Sequence, residues 1–584
     1  MWISQNHPER RLRLSRASRA TAHRKRGFRP RLEGLEERTV LSTLTVTNAL
    51  DSGAGSLRAA IKAAGSGDTI VFDPGLKGQT IALTSGELAI KKSLDIEGPG
   101  ADNLAVSGND TDRVFDIVSE GLTVRIAGLT ITHGLAKGGE AGGGGIQNVG
   151  STLTVANDIL SYNTASNSGN NDGLGGAVYN CNGAALIVNN SQFIRNQAIA
   201  GDGAIGRGGA IENSQATVTV TGSTFTGNRA VGGNGGVFTG SDIYVGMAIG
   251  GAIHNNQGTL TVTDSTFTGN EAIAGSGGSG GAGAAFGRLD VAQGGAIDDS
   301  TEGTLYMSRC LLAYNRAVGG SNATGSTSGD GRVGGGYGGG LWVRHRATVT
   351  DCTFDHNVAQ GGSGNVAGSN TLAGDGSGGA IGVLIGTLTA SNLTLTNNQA
   401  VGGVGNTGSP FAGDGIGGGL AALWGAAVTL SDSTVSGNQA VGGQGPAVAR
   451  GANGLGGGFA NILGSTLTVS GSMVSGNEAI GGAGATGANG GAGLGGGLYN
   501  DGPSIALANA GTPATVTVTG STITDNQATG GAAGVGGSAG LGEGGGLYLA
   551  DGGIACLDMF TSTNVSGNTA STSDNDIFGT FTIC

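Results

Sequence analysis

The sequence predicts an all-β solenoid in which short strands stack coil upon coil. The first observation is a box of the type Gly-Gly-Ala-Ile, which recurs eleven times in the 584-residue chain. The second is an Asn that closes each repeat, 16 to 18 residues after the box in the first nine copies. Successive boxes lie 32 to 49 residues apart. A fixed core joined to a loop of variable length is typical of stacked repeats with insertions on one edge.

Period-two alternation of apolar residues predicts two short strands in each repeat. In the repeat 250–272, Leu260 and Val262 belong to one strand and Phe267 to the next. The apolar positions are even-numbered before Asp264 and odd-numbered after it, and this change predicts a bend between the two strands. Coils stacked about 4.8 Å apart place like residues over like residues. Each buried apolar side chain then contributes roughly 1.5–3 kcal/mol.

The closing Asn residues predict a structural ladder at one corner of the stack. Asn tolerates left-handed backbone angles, which corners require. Stacked side-chain amides also hydrogen-bond along a column. The predicted ladder comprises Asn163, Asn196, Asn228, Asn270, Asn315, Asn357, Asn398, Asn438, Asn477, Asn526 and Asn568.

The chain divides into a basic leader (1–42), an N-terminal cap with irregular first coils (43–135), eleven coils (136–570) and an end segment (571–584). In the cap, Ser56 precedes a predicted short helix over Leu57–Ala64, with Leu57 and Ile61 on one face. A terminal coil exposes its core unless something covers it, so we expect this helix to plug the open end.

Charge and composition exclude several classes of function. The formal net charge of −12 divides into +7 for residues 1–38 and −19 for the remainder. An acidic body does not suit nucleic acid. No apolar run approaches the ~20 residues that span a bilayer, so no transmembrane segment is expected. Motifs for phosphate loops, dinucleotide binding, nucleophile elbows and Cys-x-x-Cys metal sites are absent from the sequence.

The five cysteines match neither a disulfide framework nor a zinc pattern, because their number is odd and their spacing wide. Cys310 and Cys352 each lie five residues before a closing Asn, so they are expected to stack in neighbouring coils. Two buried thiols are favoured over a disulfide there, although the spacing between coils also allows the bond.

Three segments resemble known families. The recurring Gly-Gly-Ala-Ile and Phe-x-x-Asn boxes resemble the polymorphic outer membrane protein repeat, which implies a right-handed parallel β-helix of the pectin-lyase-like kind. The segment 55–61, Gly-Ser-Leu-Arg-Ala-Ala-Ile, is similar to a Cys-Ser-Leu-Arg-Glu-Ala-Ile signature of bacterial surface proteins, with Gly55 and Ala59 replacing its Cys and Glu. The end of the leader, 31–42, resembles the export motif of planctomycete-type proteins. These resemblances imply export to the cell surface or the extracellular space.

A row of chemically varied residues follows the boxes of successive coils and is expected to face outward. Glu212, His254 and Asp298 are the candidate catalytic residues of this row, and Trp342, Arg344 and Asp299 are candidate ligand-binding residues. Carboxylates, a His and an aromatic platform together are what a groove for sugars needs. Two coils would separate the two carboxylates by about 9.5 Å, a distance that suits an inverting glycosidase. The alternative is a solvated face without chemistry, which the sequence favours.

The loops between each Asn and the next box suggest a weaker possibility. Asp375 and Asp414 occupy equivalent positions in Gly-Asp-Gly segments, and aligned carboxylates on adjacent coils are candidate Ca²⁺ ligands. Each loop supplies one carboxylate, so a turn-forming Asp-Gly is favoured. The loops themselves, such as 274–287 and 318–336, are interpreted as surface insertions.

The sequence therefore predicts an exported, non-enzymatic β-helix with a structural or adhesive role, whose partners are polysaccharide or cell-surface components. The alternative is a polysaccharide lyase or glycoside hydrolase. An enzyme of that kind requires converging carboxylates or a basic cluster in a groove, and the absence of Lys after Lys137 weighs against it.

Overall fold

Each repeat contributes one strand to each of four long sheets that run along the solenoid. The computed structural model describes residues 41–584 except 139–141, 239–241, 285, 328–330, 369–370, 410–411, 447–448 and 504–511. Neighbouring strands of the four sheets pair in parallel, as Phe225 does with Phe267 and Phe267 with Leu312. The predicted all-β parallel β-helix is confirmed. Apart from Leu41 and Ser42, the predicted leader lies outside the described residues.

The first sheet carries the longer strand of each repeat and begins with the irregular N-terminal coils. Its sixteen described strands are Thr43–Val46, Thr69–Phe72, Leu94–Glu97, Thr123–Ala127, Thr152–Ala156, Ala185–Asn189, Thr217–Thr221, Thr259–Thr263, Thr304–Ser308, Arg346–Thr350, Thr387–Ser391, Ala427–Ser431, Thr466–Ser470, Thr515–Thr519, Ile554–Leu557 and Thr582–Ile583.

The second sheet lies past the bend at which the parity of buried positions changes. Its described strands are Gln79–Ala82, Leu104–Ser107, Thr130–Thr132, Ile159–Ser161, Gln192–Ile194, Thr224–Thr226, Thr266–Thr268, Leu311–Ala313, Thr353–Asp355, Thr394–Thr396, Thr434–Ser436, Met473–Ser475, Thr522–Thr524 and Val565–Ser566. The bend residue Asp264 has a φ of 51°, as the change of parity required.

The third sheet follows the closing Asn residues. Its described strands are Leu135–Lys137, Thr164–Ser166, Gln197–Ile199, Arg229–Val231, Glu271–Ile273, Arg316–Val318, Val358–Gln360, Gln399–Val401, Gln439–Val441, Glu478–Ile480, Gln527–Thr529 and Thr569–Ala570. The central Ala of these strands is buried, as at Ala272.

The box sheet contains the eleven strands that start at the end of the Gly-Gly boxes, together with two N-terminal strands and one C-terminal strand. Its described strands are Leu88–Ile90, Phe115–Ile117, Ile146–Val149, Val178–Cys181, Ile211–Ser214, Ile253–Asn256, Ile297–Asp299, Leu341–Val343, Ile381–Leu384, Leu420–Leu423, Phe459–Asn461, Leu498–Asn500, Leu547–Leu549 and Ile577–Phe578. Its inward residues and those of the first two sheets form one continuous apolar core.

Short helical segments lie near the two ends of this core. The α-helix Leu57–Ala63 begins after Ser56, whose hydroxyl accepts a hydrogen bond from the Ala59 amide, and it buries Leu57 and Ile61. Further helical segments are Met559–Thr563, Pro74–Leu76 and Ala101–Asn103. The predicted capping helix is therefore present. Among the described residues, no helix is long and apolar enough to cross a membrane.

The closing Asn residues form a buried ladder from Asn163 to Asn568. In each link, the side-chain Nδ2 donates to Oδ1 of the Asn in the next coil at 2.9–3.0 Å. The left-handed backbone that we expected at these Asn residues lies instead on the residue before them, as at Tyr162 (φ 55°) and Arg195 (φ 52°). The ladder residue itself is thereby free to point its amide into the core.

A second interior ladder, which the sequence analysis did not identify, runs through the box sheet two residues after each box. Its first part joins Asn148, Asn180, Asn213, Asn255 and Asp299 by side-chain hydrogen bonds of 2.7–2.9 Å. A second part joins Asn461 to Asn500. Val343, Val383 and Ala422 occupy the intervening coils.

The loops after the third sheet form a second layer over the box sheet, which corrects their interpretation as surface insertions. This layer contains a cover sheet of ten described two-residue strands: Gly173–Leu174, Gly206–Arg207, Ala248–Ile249, Ala292–Gln293, Gly336–Tyr337, Gly376–Ser377, Gly415–Ile416, Gly454–Leu455, Gly493–Leu494 and Gly542–Glu543. Two smaller sheets comprise Val237–Phe238, Ser279–Ala284 and Thr324–Thr327, and Asp242–Val245, Phe286–Leu289, Gly331–Val333 and Thr371–Ala373.

Glycine allows this second layer to pack by close backbone contact. At Gly275, Gly320 and Gly362, a Cβ atom would collide with the carbonyl oxygen of the loop of the preceding coil. Apolar residues of the same loops also pack across coils, as Leu289 does between Val245 and Val333. The loops are therefore held to one another even though few of their side chains are large.

The cysteines are divided between thiols and one disulfide. Cys310 and Cys352 are buried thiols in neighbouring coils, and the Cys310 amide donates to Cys352 Sγ at 3.3 Å. They replace the Ser residues that cap this corner in other coils, such as Ser265. The structure also contains a disulfide between Cys556 and Cys584, which the sequence analysis did not predict.

Replacing Phe267 by Ala tests the stacking register. Phe267 is fully buried, and its ring stacks on Phe225 with centroids 4.6 Å apart. We expect a loss of about 3–5 kcal/mol, centred on that coil because solenoid stability is a sum of neighbour terms. Hydrogen exchange should show lost protection in 253–318 and little change beyond 400. Thr268→Ala, on the outward face of the same strand, is the matched control, and equal losses in both variants would contradict the register.

Shortening the loop 277–290 to a Gly-Ser linker tests the second layer. Because Leu289 is buried between neighbouring loops, we expect a lower melting temperature and increased fluorescence of an apolar dye. The matched control is a similar shortening of 482–491, a loop with the same close glycine contacts but no large apolar side chain, and we expect it to lower the melting temperature less. An unchanged melting curve for the 277–290 variant would restore the view that the loop is a free insertion.

Candidate functional site

The four residues predicted to form a row do lie side by side on the box sheet. Glu212 pairs in register with His254, His254 with Asp298, and Asp298 with Trp342. They occupy the first position after the buried residue that ends each box, on the face turned away from the main core. The sheet register therefore brings together residues that are 42 to 44 positions apart in the chain.

The row is buried, contrary to the expectation that it faces solvent. Glu212 and His254 are each 1% exposed, and Asp298 and Trp342 are 0% exposed. The cover sheet lies over them: Ile249 and Met247 belong to the same apolar cluster as Trp342 and Tyr337. The row is buried because the chain turns at the Gly-Gly pair, so that the residue before the pair packs on the residue that follows the box. Tyr337 packs on Trp342 in this way, with ring centroids 5.3 Å apart.

The imidazole of His254 lies between two carboxylates. Its Nδ1 lies 2.7 Å from Glu212 Oε2, and its Nε2 lies 2.9 Å from Ser300 Oγ and 3.5 Å from Asp298 Oδ1. Ser300 Oγ donates to Asp298 Oδ1 at 2.7 Å. The His254 ring, the Ser300 hydroxyl and the two carboxylates therefore form one continuous buried network.

This arrangement differs from the geometry of the reaction considered from the sequence. An inverting glycosidase needs a sugar and a water between its two carboxylates, and here the His254 ring fills that space. Burial raises the pKa of Asp298, and the opposing influences are His254, the Ser300 hydrogen bond and the arginines Arg344 and Arg288. Catalytic roles for Glu212, His254 and Asp298 remain predictions.

Glu212 reaches the edge of this buried network. It lines a cavity of about 370 Å³ together with Tyr179 and Ser214. The ion pair of Arg207 with Asp172, at 2.9 Å, lines the same cavity. Glu212 is thus the member of the row nearest to an open, polar surface, while His254 and Asp298 lie behind it.

Asp299 does not belong to the row. It points into the main core, where Asn255 Nδ2 donates to its Oδ1 at 2.7 Å, and it continues the second interior ladder. The reason is the period-two alternation of the strand, which turns Asp298 and Asp299 to opposite faces. Burial raises the pKa of Asp299 to about 8. We therefore correct its placement among the candidate ligand-binding residues.

Trp342 and Arg344 lie near a group of arginines that the sequence analysis did not assemble. Arg332, from the second layer, stacks over Tyr337, Trp342 and Trp424 at 5.1, 5.8 and 4.7 Å from their ring centroids. Arg288, from the neighbouring loop, lies 5.6 Å from the Tyr244 ring centroid. The sequence did contain a signal for this group: Arg288 and Arg332 precede their boxes by similar distances, which places them in neighbouring coils.

The two candidate calcium ligands are buried in the second layer. Asp375 Oδ1 accepts the backbone amide of Asp414 at 3.3 Å, and Asp414 Oδ1 accepts that of Asn453 at 2.6 Å. Each carboxylate therefore bonds to the next coil, as the ladder residues do. Burial raises the pKa of Asp414 to about 6. Within the described part of the chain, no group of three or more His, Cys, Asp or Glu residues forms a metal site.

No protein-family model and no curated protein matches the chain. Among solved structures, a mannuronic acid specific polysaccharide family 6 lyase from human gut microbiota is 11% identical with a TM-score of 0.27, covering 67% of this chain and 82% of that one. PfbA, a surface adhesin of Streptococcus pneumoniae, is 10% identical with a TM-score of 0.28, covering 74% and 89%. The A-module of the Azotobacter vinelandii mannuronan C-5 epimerase AlgE4 is 14% identical with a TM-score of 0.25, covering 93% and 97%. These low scores do not indicate what this chain binds.

Replacing Asp299 by Asn tests the second ladder and has a defined dependence on pH. The folded-state pKa of about 8 lies above the ordinary value of 3.8, so the folded protein retains a proton that the unfolded chain releases. The free energy of unfolding of the wild type therefore falls as pH rises from about 4 to 8. Asn carries no charge, so we expect D299N to be more stable at pH 8 by on the order of 1–3 kcal/mol.

The measurement is urea unfolding of both proteins at pH 4, 6 and 8. The difference between them should shrink toward pH 4, where Asp299 is protonated in both states. Asp264→Asn, an exposed partner of Arg309, is the control and should show no such rise with pH. A wild type more stable than D299N at pH 8 would contradict the assignment.

Proposed function

We propose that the protein is an exported, non-enzymatic β-helix of the cell surface or extracellular space, with a structural and adhesive role. The burial of His254 and Asp298 supports the absence of catalysis, because the second layer covers both and only Glu212 of the three candidate residues lines a described cavity. The resemblance of the leader and of the repeats to exported surface proteins supports the location.

One observation carries the adhesive role: the outer face of the first sheet is a regular array of hydroxyl groups. Three outward columns run through the eight strands from Thr217–Thr221 to Thr515–Thr519. Apart from Tyr306, Arg346 and Ala427, every residue in these columns is Thr or Ser. Adjacent strands lie about 4.8 Å apart, and successive outward residues on a strand lie about 6.7 Å apart.

Such a face matches an extended, uncharged polysaccharide better than an anionic one. The columns carry one charge, Arg346, so binding does not depend on ion pairs. Threonine hydroxyls both donate and accept hydrogen bonds, as sugar hydroxyls do. Tyr306 is 48% exposed within the central column and offers a ring on which a sugar can stack.

Binding to insoluble neutral polysaccharides tests the adhesive role. The probes are microcrystalline cellulose, chitin and starch granules. We expect at least one of them to retain the protein, and Thr348→Val, Thr389→Val and Thr429→Val together to weaken that retention by about tenfold or more, because three hydroxyl partners are lost while strand shape is kept. The matched control is Thr266→Val, Thr394→Val and Thr434→Val, on the outward face of the second sheet. Equal retention of the two triple variants would contradict the assignment.

A turnover screen tests the absence of catalysis. We expect no depolymerisation of neutral or acidic polysaccharides by the wild type. If the wild type cleaves one of them and the double variant Glu212→Ala with Asp298→Ala does not, the enzymatic alternative replaces this proposal. Adhesion and turnover are measured separately, so either part can fail alone.

A further inference from the structure

A cavity of about 320 Å³ lies between the capping helix Leu57–Ala63 and the first strand of the box sheet, Leu88–Ile90. We infer that it is a docking site for an extended acidic peptide of a partner protein, which pairs with this strand along its free edge. The cavity lies in the N-terminal cap, and Glu212 lies further along the same sheet. The helix beside it contains most of the signature-like segment 55–61, to which the proposed function gives no role.

The strand Leu88–Ile90 has a partner on one side only. It is the first strand in the order of the box sheet, and it pairs with Phe115–Ile117. The preceding coil supplies Thr43–Val46 to the first sheet and then the capping helix, but its described residues add no strand to the box sheet. An edge strand presents unpaired N–H and C=O groups that can pair with another chain. An added peptide strand would therefore take the place that the preceding coil leaves without a strand.

The backbone of Ala89 is the part of this edge that is open to pairing. The Leu88 amide donates to the Val114 carbonyl of the next coil at 2.9 Å. Successive residues of a strand direct their backbone groups to opposite sides, so the amide and carbonyl of Ala89 point toward the free edge. Ala89 is also exposed, so a peptide can reach these groups.

Arg58 holds the capping helix beside this edge. Its guanidinium donates to the carbonyl oxygens of Gly86 and Glu87 at 2.6 and 2.7 Å and pairs with Asp51 at 2.7 Å. These contacts end just before the strand begins. The helix is thereby fixed at the end of the box sheet, and the cavity between helix and strand stays open.

Positive charge is concentrated around this cavity. Residues 43–584 contain five Lys, and three of them, Lys62, Lys91 and Lys92, line it. Lys92 donates to the carbonyl oxygen of Ala64. Lys62 and Lys91 are exposed, and the side chain of neither forms an ion pair or a hydrogen bond with the described residues. Two cationic side chains beside an open strand edge favour an acidic partner.

The acidic groups near the cavity already have partners or are buried. Glu87 pairs with Arg113 at 2.7 Å, and Asp68 accepts hydrogen bonds from two backbone amides. Burial raises the pKa of Asp116 to about 7, although the charge of Lys91 opposes that effect. These carboxyl groups therefore leave the exposed lysines available to a ligand.

The floor of the cavity is apolar and defines the second half of the partner's chemistry. Ile61, Leu88 and Leu94 line it, and all three are buried. An added strand turns alternate side chains to opposite faces. Those turned inward meet this floor, and those turned outward lie beside the lysines. The partner is therefore an extended segment in which aliphatic and acidic residues alternate.

Fluorescence anisotropy of a labelled synthetic peptide measures binding to the full chain. The probe is a peptide of alternating Glu and Val, about seven residues long. Two matched peptides carry Lys in place of Glu and Asn in place of Val. We expect saturable binding of the probe and at least about tenfold weaker binding of both matched peptides, because one lacks the charge and the other the aliphatic contacts. No saturable change with the probe up to about 1 mM would overturn the inference.

Methylation of the peptide backbone tests the strand pairing without altering the protein. Two isomers of the probe carry N-methyl groups either on the Val nitrogens or on the Glu nitrogens. Only one set of amides faces the edge of the box sheet, so we expect one isomer to bind about tenfold more weakly than the other. Equal binding of the two isomers would overturn the inference.

The protein variant is Lys62→Glu with Lys91→Glu, and the control is Lys77→Glu with Lys137→Glu, the two lysines of this region that do not line the cavity. We expect the first variant to bind the probe at least about tenfold more weakly and the control to bind within about twofold of the wild type. All four lysines are exposed, so both variants should melt at the temperature of the wild type. Equal affinity of the two variants would contradict the assignment.

Two further measurements separate the peptide from other occupants. Sedimentation of the wild type without peptide should show no self-association that depends on Lys62 and Lys91. Self-association that the Lys62→Glu, Lys91→Glu variant abolishes would identify a second copy as the occupant and overturn the inference. Displacement of the probe by inorganic phosphate at equal concentration would indicate a simple anion site and overturn it as well. The threonine variants of the hydroxyl face should bind the probe as the wild type does, so this site and the proposed adhesion are tested separately.

Discussion

The buried amide ladder is the interaction on which the rest of the structure depends. Between the two ends of the ladder, each Asn donates to the next coil through Nδ2 and accepts through Oδ1 both the amide and the Nδ2 of the Asn in the coil before, as Asn270 does from Asn228. A side chain shifted by one residue would leave several buried polar groups unsatisfied, at roughly 1–3 kcal/mol each. The ladder therefore fixes the register of every coil. Fixed register in turn aligns the phenylalanine stack, the hydroxyl columns and the row from Glu212 to Trp342.

The sequence was sufficient to predict the fold because its signals are local and repeated. Leu260, Val262 and Phe267 reveal their strands by alternation, and Asp264 reveals the bend. The left-handed backbone at the corner was predicted at the closing Asn, but it lies on the residue before it. Asn is favoured both in left-handed backbone and in side-chain ladders, and the spacing of the repeats alone does not distinguish these two roles. The second interior ladder was overlooked for a related reason. Asn255 directly follows His254 and faces the main core, whereas His254 faces the second layer. The sequence prediction followed the position of His254 because its residues are chemically varied, and it did not include the regular Asn at the next position.

The sequence predicted that the residues of the candidate site lie side by side, but it did not predict that they are buried. Adjacency follows from register, so Glu212, His254 and Asp298 could be aligned from spacing alone. Exposure depends on the loops, and their composition gave little sign of packing because the second layer is held by close glycine contacts more than by large side chains. At Gly320, for instance, the absence of Cβ is what allows the preceding loop to approach. The apolar residues before several boxes, Ile249 and Tyr337 among them, were the available signal.

Burial changes what the same residues can do. On an exposed strip, a His between two carboxylates would be accessible to a substrate. Beneath the cover sheet, Glu212, His254, Ser300 and Asp298 form a buried hydrogen-bonded network. Arg288 and Arg344 lie at the same boundary, where burial lowers the pKa of each guanidinium group and the Asp298 carboxylate opposes that effect, so burying these charges has a cost in stability. A solenoid can carry such a local cost, since its stability is a sum over neighbouring coils and intact ladders lie on both sides.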